Sequence, residues 1–181
     1  MSVRAWMMWF GLVVAGCTPV AEIRSAKAPG FQGPLRSMFV ISDAGSRGEV
    51  SGSHFQAEME RMAGRCRIRM GVSTVSELDL DPSIHVQRAK LFNARHTLLV
   101  SVTGVTTRSD RVLVEARYDV RLLENAERVV WRAALELRLG DGEELGSEAL
   151  AYAVMTKMGQ DDVIQRCATR ARTEAPSADA R

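Results

Sequence analysis

The sequence lacks the features that mark several large classes of protein. Its 181 residues include three cysteines, five prolines, three histidines and only 6% aromatic residues. Three cysteines are too few for a disulfide-rich scaffold, and three histidines leave little material for a metal centre. Basic and acidic residues nearly balance, 24 against 22, for a net charge of +2. A field strong enough to attract nucleic acid is therefore missing, and we expect no nucleic-acid partner.

Long hydrophobic runs are missing as well. The uncharged stretch from Ala5 to Ala15 is too short to cross about 30 Å of hydrocarbon as a helix. It follows a short basic region that ends at Arg4, which is the order found in secretory signal peptides. An ordinary secretory signal, cleaved nearby with Cys17 incidental, is one explanation of this stretch.

The segment "VAGC" that ends at Cys17 resembles the lipobox of bacterial lipoproteins. The resemblance implies that residues 1–16 are a lipoprotein signal peptide and that the Cys17 sulfur receives a diacylglycerol. It also implies that the new amino group is acylated, for example with palmitate. Thr18 stands where an aspartate is associated with inner-membrane retention, so the resemblance favours the periplasmic face of the outer membrane in a Gram-negative cell. In another envelope it implies a lipid anchor in the cell membrane.

The remaining length suits one domain. Residues 17–35 contain three prolines and two glycines without lasting periodicity, so we expect a lipidated tether there. We expect a single α/β domain over residues 36–167 and a disordered tail over residues 168–181. Cys66 and Cys167 are then one candidate disulfide pair, worth about 4 kcal/mol on the chain-entropy model. Two buried thiols are the alternative, because sequence separation does not give the distance between two Cα atoms.

Hydrophobic periodicity predicts the elements of the domain. The apolar run from Met38 to Ile41 indicates a buried strand, and residues 53–66 indicate an amphipathic helix capped by Ser53. A short strand of alternating arginine and apolar residues follows, and then a helix from Ile84 to Ala94. Three long alternating strands between residues 95 and 140 precede a last helix, about residues 146–159.

The order of elements, β-α-β-α-β-β-β-α, indicates an α/β fold. We expect a two-layer mixed sheet with an antiparallel C-terminal meander and helices packed on one face. Right-handed crossovers are expected to put the first two helices on the same side. In the meander, alternation places Tyr118, Val129 and Trp131 on the inner face, where we expect packing residues rather than a ligand cage.

Two segments of the domain are similar to those of known envelope proteins. The strand that carries Val130-Trp131-Arg132 and the closing segment from Asp161 to Ile164 resemble small lipoproteins of the TolB amino-terminal, CsgG-like and transport-auxiliary types. The resemblance covers most of residues 36–166 and implies an accessory role in the envelope. Propeller repeats and membrane-inserting hairpins do not occur, so propeller and pore-forming functions are not implied.

No catalytic or metal-binding constellation accompanies these elements. The three histidines have no spacing that favours zinc, and the two turn aspartates lack the rest of a calcium loop; these residues are His54, His85, His96, Asp79 and Asp81. Ser51 and Ser53 precede a helix without satisfying G-x-S-x-G, which favours a loop and a helix cap. We therefore expect no enzyme, no cofactor and no metal.

The outer face of the sheet is expected to carry a basic stripe that neighbouring acids neutralise in part. The stripe would consist of Arg67, Arg69, Arg117 and Arg121, with Glu115 and Asp119 between them.

The leading hypothesis is a noncatalytic, membrane-anchored periplasmic lipoprotein that is an accessory or scaffold for an envelope assembly. Its partners would be the membrane, through the anchor, and a protein of the envelope. The alternative is a lipid- or small-ligand-binding auxiliary component of an envelope transport system. A hydrolase built on Ser51 or Ser53 is a third hypothesis.

Overall fold

Six strands form one mixed sheet in the computed structural model, which describes residues 21–47, 50–76, 79, 81, 83–107, 113–138 and 143–166. The elements are β1 Ala21–Lys27, β2 Ser37–Ser42, α1 Gly52–Arg65, β3 Arg69–Thr74, α2 Ser83–Phe92, β4 His96–Thr107, β5 Leu113–Glu124, β6 Arg128–Arg138 and α3 Glu143–Gln160. The strand order is β1-β6-β5-β4-β2-β3. Only β2 with β3 and β2 with β4 pair in parallel among these strands. The predicted α/β class and the antiparallel meander are confirmed.

Strand β1 lies where the sequence predicted a tether. It pairs antiparallel with β6 along its whole length, from Ala21 opposite Leu137 to Lys27 opposite Trp131. Ile23 packs against the core, whereas Glu22 on the other face of the sheet is exposed. The expected tether over residues 17–35 is therefore corrected from Ala21 onward. The reason is that an edge strand with one wet face carries only a weak apolar alternation.

Helices α1 and α3 cover one face of the sheet, and α2 lies against the other. Met38 and Val40 of β2 belong to the core beneath α1, whereas Phe39 between them meets Phe92 of α2 at 5.5 Å between ring centroids. Strand β3 is added on one side of β2 and β4 on the other. Two right-handed crossovers that leave in opposite directions place their helices on opposite faces. The expected common side for the first two helices is corrected for this reason.

A β-bulge changes the face on which one meander residue lies. The register of β5 with β6 shifts between Leu122 and Leu123. As a result Val130 and Trp131 are both buried, while Val129 is 43% exposed. The expected inward position of Val129 is wrong, because an extra residue in one strand reverses the alternation locally. Tyr118 and Trp131 lie in the core as predicted.

The two segments that carry the family resemblance meet at one carboxylate. The Trp131 indole N–H donates to Asp161 Oδ2 at 2.8 Å, and the Ser25 hydroxyl donates to the same oxygen at 2.5 Å. Lys157 Nζ lies 3.1 Å from Asp161 Oδ1. Burial alone would raise the pKa of Asp161, but the bonds from these three side chains outweigh it and hold the pKa below its ordinary value. Asp161 thus ties the end of α3 to β6 and β1.

Replacing Asp161 with alanine should destabilise the fold. The buried indole N–H of Trp131 loses its acceptor, and we expect the free energy of unfolding to fall by about 1–3 kcal/mol. Because the pKa of Asp161 is lowered in the fold, its contribution is present above about pH 4 and is lost as the pH falls through the lowered pKa. The difference in stability between the variant and the parent chain should therefore narrow at acid pH.

Urea unfolding of both chains, near neutral pH and in acid, measures these effects. The matched control is Asp162→Asn at the neighbouring exposed position, where φ is +54° and asparagine is tolerated. We expect no more than about 0.5 kcal/mol of change in the control. Equal losses in the two variants would contradict a special role for Asp161.

Candidate functional site

The two serines considered as nucleophiles belong to a helix cap and a clamp. Ser51, not Ser53, caps α1, since its side chain accepts from the backbone N–H of His54 at 3.4 Å. The Ser51 backbone N–H donates to Ser147 Oγ at 3.1 Å, and Ser147 Oγ donates to the Ser51 carbonyl at 3.0 Å. Ser51 therefore joins the loop before α1 to α3. These hydrogen bonds indicate a structural role for Ser51.

A serine, a histidine and an aspartate form a hydrogen-bonded chain beside β3 that the sequence did not reveal. Ser73 Oγ lies 2.8 Å from His85 Nδ1, and His85 Nε2 lies 2.9 Å from Asp79 Oδ2. Arg88 Nη1 donates to Ser73 Oγ at 3.2 Å. The backbone N–H of Ser76 and the His85 ring lower the pKa of Asp79. A carboxylate can only accept, so His85 Nε2 donates to Asp79, and with a single proton on the ring His85 Nδ1 accepts from the Ser73 hydroxyl.

The burial of this chain decides what it can do. A serine hydroxyl that donates to a histidine is the arrangement of an activated nucleophile. Ser73 and His85 are only 2% and 3% exposed, however, because β3 and α2 enclose them. A nucleophile must come within about 3 Å of the atom it attacks. The Ser73 hydroxyl is covered and already accepts from Arg88, so the chain holds α2 on β3.

The other end of α2 is held by stacking. The Arg69 guanidinium lies 4.4 Å from the centroid of the Phe92 ring, and its Nη2 donates to the Phe92 carbonyl at 3.1 Å. Gly71 gives the rings room, because a Cβ there would lie 2.8 Å from the Phe39 ring. Arg69 is thereby committed to α2, and it does not join the stripe expected on the outer face.

The outer face of β5 and β6 carries paired charges. Arg121 Nε and Arg132 Nε each lie 2.7 Å from a carboxylate oxygen of Asp119. Arg117 reaches Glu115 at 2.6 Å and Glu136 at 3.7 Å. The expected basic stripe is therefore corrected to a ladder of alternating charges. The arginine side chains of the ladder are exposed, whereas Asp119 is buried, and the pairs set a pattern that a polar partner could match.

A second charged cluster lies at the other end of the meander. Arg95 Nη2 lies 2.7 Å from Glu124 Oε1, and Arg128 also pairs with Glu124. His96 Nε2 is 3.8 Å from the same carboxylate, and the Phe31 ring packs edge-on against the imidazole. Burial lowers the pKa of His96 despite the nearby Glu124. Within the described ranges, no three His, Cys, Asp or Glu residues are grouped closely enough to hold a metal ion.

The remaining predicted site residues are the cysteines. Cys66 is buried at the end of α1 and is disulfide-bonded. Cys17 and Cys167 lie outside the described residues. The pairing of Cys66 with Cys167 and the lipidation of Cys17 stay predictions.

Comparison with known proteins adds a likeness of fold. No protein-family model matches the sequence, and neither does any curated protein. A variant of PelC from Paraburkholderia phytofirmans, solved as a dodecamer, has a TM-score of 0.50 and 17% identity over 76% of this chain and 96% of that one. The likeness to PelC is one of fold. Residue roles do not transfer at this identity.

Two further structures are similar over most of their length. Another PelC dodecamer from the same organism has a TM-score of 0.49 and 14% identity, covering 81% of this chain and 100% of that one. The lipoprotein GNA1162 from Neisseria meningitidis has a TM-score of 0.41 and 15% identity, covering 70% and 99%. The resemblance to the TolB amino-terminal, CsgG-like and transport-auxiliary types stays a prediction.

Replacing His85 with leucine should loosen α2. The variant removes both ring hydrogen bonds and leaves the buried Ser73 hydroxyl with fewer partners, so we expect a loss of about 1–3 kcal/mol in unfolding free energy. Amides of α2 should then exchange with deuterium faster than those of α1. Gln87→Leu, on the exposed side of the same helix, is the control and should leave exchange unchanged. Unaltered exchange in His85→Leu would contradict the anchoring role.

Proposed function

We propose that the chain is a noncatalytic, membrane-anchored periplasmic lipoprotein that serves as a scaffold within an envelope assembly. One observation carries the proposal: β1 begins at Ala21, four residues beyond Cys17. An extended chain spans at most about 3.6 Å per residue, so the link reaches about 14 Å. A lipid on Cys17 would therefore hold the sheet itself close to the bilayer.

The short link distinguishes a scaffold from an adaptor that reaches for its partner. A flexible tether from Cys17 to residue 35 could extend about 60 Å, whereas β1 is fixed by its pairing with β6. The end of the sheet that holds Ala21 and its partner Leu137 would then lie nearest the membrane. The charge ladder on β5 and β6 would stay at a constant height above the bilayer, available to a polar partner.

The described chemistry supports a role without catalysis. Ser73 and His85 are enclosed by β3 and α2, and Ser51 caps a helix and joins α1 to α3. Self-assembly is part of the proposal, because PelC, which has a similar fold at a TM-score of 0.50, forms a dodecamer. The lipobox resemblance, with Thr18 in place of an aspartate after Cys17, favours the periplasmic face of the outer membrane in a Gram-negative cell.

Labelling with radioactive palmitate tests the anchor in cells that express the full chain. The parent chain should incorporate label and fractionate with membranes, and Cys17→Ala should do neither, because two or more acyl chains are needed for firm anchoring. An unlabelled parent chain, or a Cys17→Ala variant that stays in the membrane, would contradict the proposal.

A linker insertion tests the fixed height. Fourteen glycine and serine residues placed between residues 20 and 21 should leave labelling intact but reduce crosslinking between the charge ladder and its envelope partner several-fold. The same linker placed after Arg166 is the control and should leave crosslinking unchanged. Equal crosslinking in both insertions would favour an adaptor on a flexible tether.

A further inference from the structure

The sheet has two open edges among the described residues, one at β3 and one at β1. Arg69 N–H bonds to the Arg36 carbonyl and Val75 N–H to the Ser42 carbonyl, so the odd-numbered residues of β3 bond to β2. In a parallel pair the alternate residues direct N–H and C=O the other way. Met70, Val72 and Thr74 therefore present their backbone groups at the open edge.

The same alternation defines the open edge of β1. Ala28 N–H donates to the Val130 carbonyl at 2.9 Å, which continues the register of β1 with β6. Residues of the same parity as Ala28 bond to β6, since hydrogen-bonded pairs alternate along an antiparallel ladder. Ala21, Ile23, Ser25 and Lys27 therefore present their backbone groups away from β6.

These two edges are complementary. Following the pairing across the sheet, β1 runs antiparallel to β3. Placing Ile23 opposite Val72 aligns outward backbone groups over the whole of β3, with Ser25 opposite Met70. Ile23, Met70 and Val72 are partly buried apolar residues on the face that α1 and α3 cover. Residues directly opposite in an antiparallel pair share a face, so these side chains would cover one another.

Helix α2 adds an apolar flank beside the β3 edge. Ile84 and Leu91 are seven residues apart, which puts them on one side of the helix, and they are 41% and 86% exposed. Arg88, on the adjoining part of the helix, bonds to Ser73 of β3. In the register above, Arg69 lies opposite Ala26, an exposed small residue on the outer face. Leu91, next to the Phe92 that Arg69 covers, would lie over Ala26.

We infer that the β3 edge and the Ile84–Leu91 flank of one copy bind the β1 edge of a second copy of this chain. The contact uses different surfaces on the two partners, so repetition produces a closed ring or an open fibre. The inference deepens the self-assembly part of the proposed function and does not depend on the lipid anchor.

Disulfide crosslinking tests the contact in the full chain, extracted from membranes in mild detergent. Residues directly opposite in a hydrogen-bonded pair have Cα atoms about 5.5 Å apart, within disulfide range. The double variant Ile23→Cys/Val72→Cys should oxidise to a ladder of dimers, trimers and larger species on a nonreducing gel. Either single variant should stay monomeric, because its introduced cysteine then faces a residue that is not cysteine. Ile23→Cys/Val129→Cys, with its second cysteine near the start of β6 and away from both edges, is the control and should give no ladder.

A second variant separates contact from folding. Leu91→Asp, at a position 86% exposed, should leave the thermal midpoint unchanged and reduce the ladder at least tenfold. Val129→Asp, at another exposed apolar position, should leave the ladder unchanged. Absence of species above the dimer in the folded double variant would overturn the inference. The inference would also be overturned if Val72→Cys alone gave dimers in a yield equal to that of the double variant. The same gel with Cys17→Ala separates this result from the fate of the anchor.

Discussion

Pairing between β1 and β6 is the constraint on which the rest of the structure depends. It brings Ser25 and Lys27 to Asp161, where the Ser25 hydroxyl and Lys27 Nζ bond to the side chain and the carbonyl respectively. It also places Ile23 against the core. The same pairing fixes the sheet four residues from Cys17. A lipid attached to Cys17 would therefore restrict the position of the whole domain. Without it, the N-terminal segment would be a flexible leash and the sheet would end at β6.

The polar groups of the interior are used to hold elements together. Asp161 connects α3 to two strands, Ser147 connects α3 to the loop before α1, and His85 connects α2 to β3. Each of these groups has hydrogen-bond partners that offset the cost of removing it from water. The described surface offers the charge ladder, the two sheet edges and the exposed flank of α2.

Much of the fold could be predicted from the sequence, because long amphipathic strands and helices have a regular spacing of apolar residues. The prediction of the meander was correct, because apolar and polar residues alternate over about ten positions in each strand, which is more than chance spacing gives. Strand β1 was missed because Glu22, Arg24 and Lys27 mask a short alternation that includes only one large apolar residue. The predicted face of Val129 was wrong because of the β-bulge, which a strict alternation of residues cannot reveal.

The candidate site was harder to predict, for physical reasons. The face of α2 depends on strand order, and strand order is a property of tertiary packing. Ser73, Asp79 and His85 fall in three successive segments at unremarkable spacing, and only the return of α2 across β3 brings them together. Alternation predicts an exposed Arg69, whereas its guanidinium stacks on the Phe92 ring at the end of the next helix. The Cys17 lipobox, in contrast, is a local pattern that needs no fold to be recognised.

Residue-resolved amide hydrogen exchange across residues 21–27 tests the central claim most directly. We expect slow exchange at Glu22, Arg24 and Ala26, whose N–H groups face β6, and faster exchange at Ile23, Ser25 and Lys27 in the monomeric protein. Uniform exchange at the rate of an unstructured peptide through this segment would contradict it, because that is the behaviour of a tether.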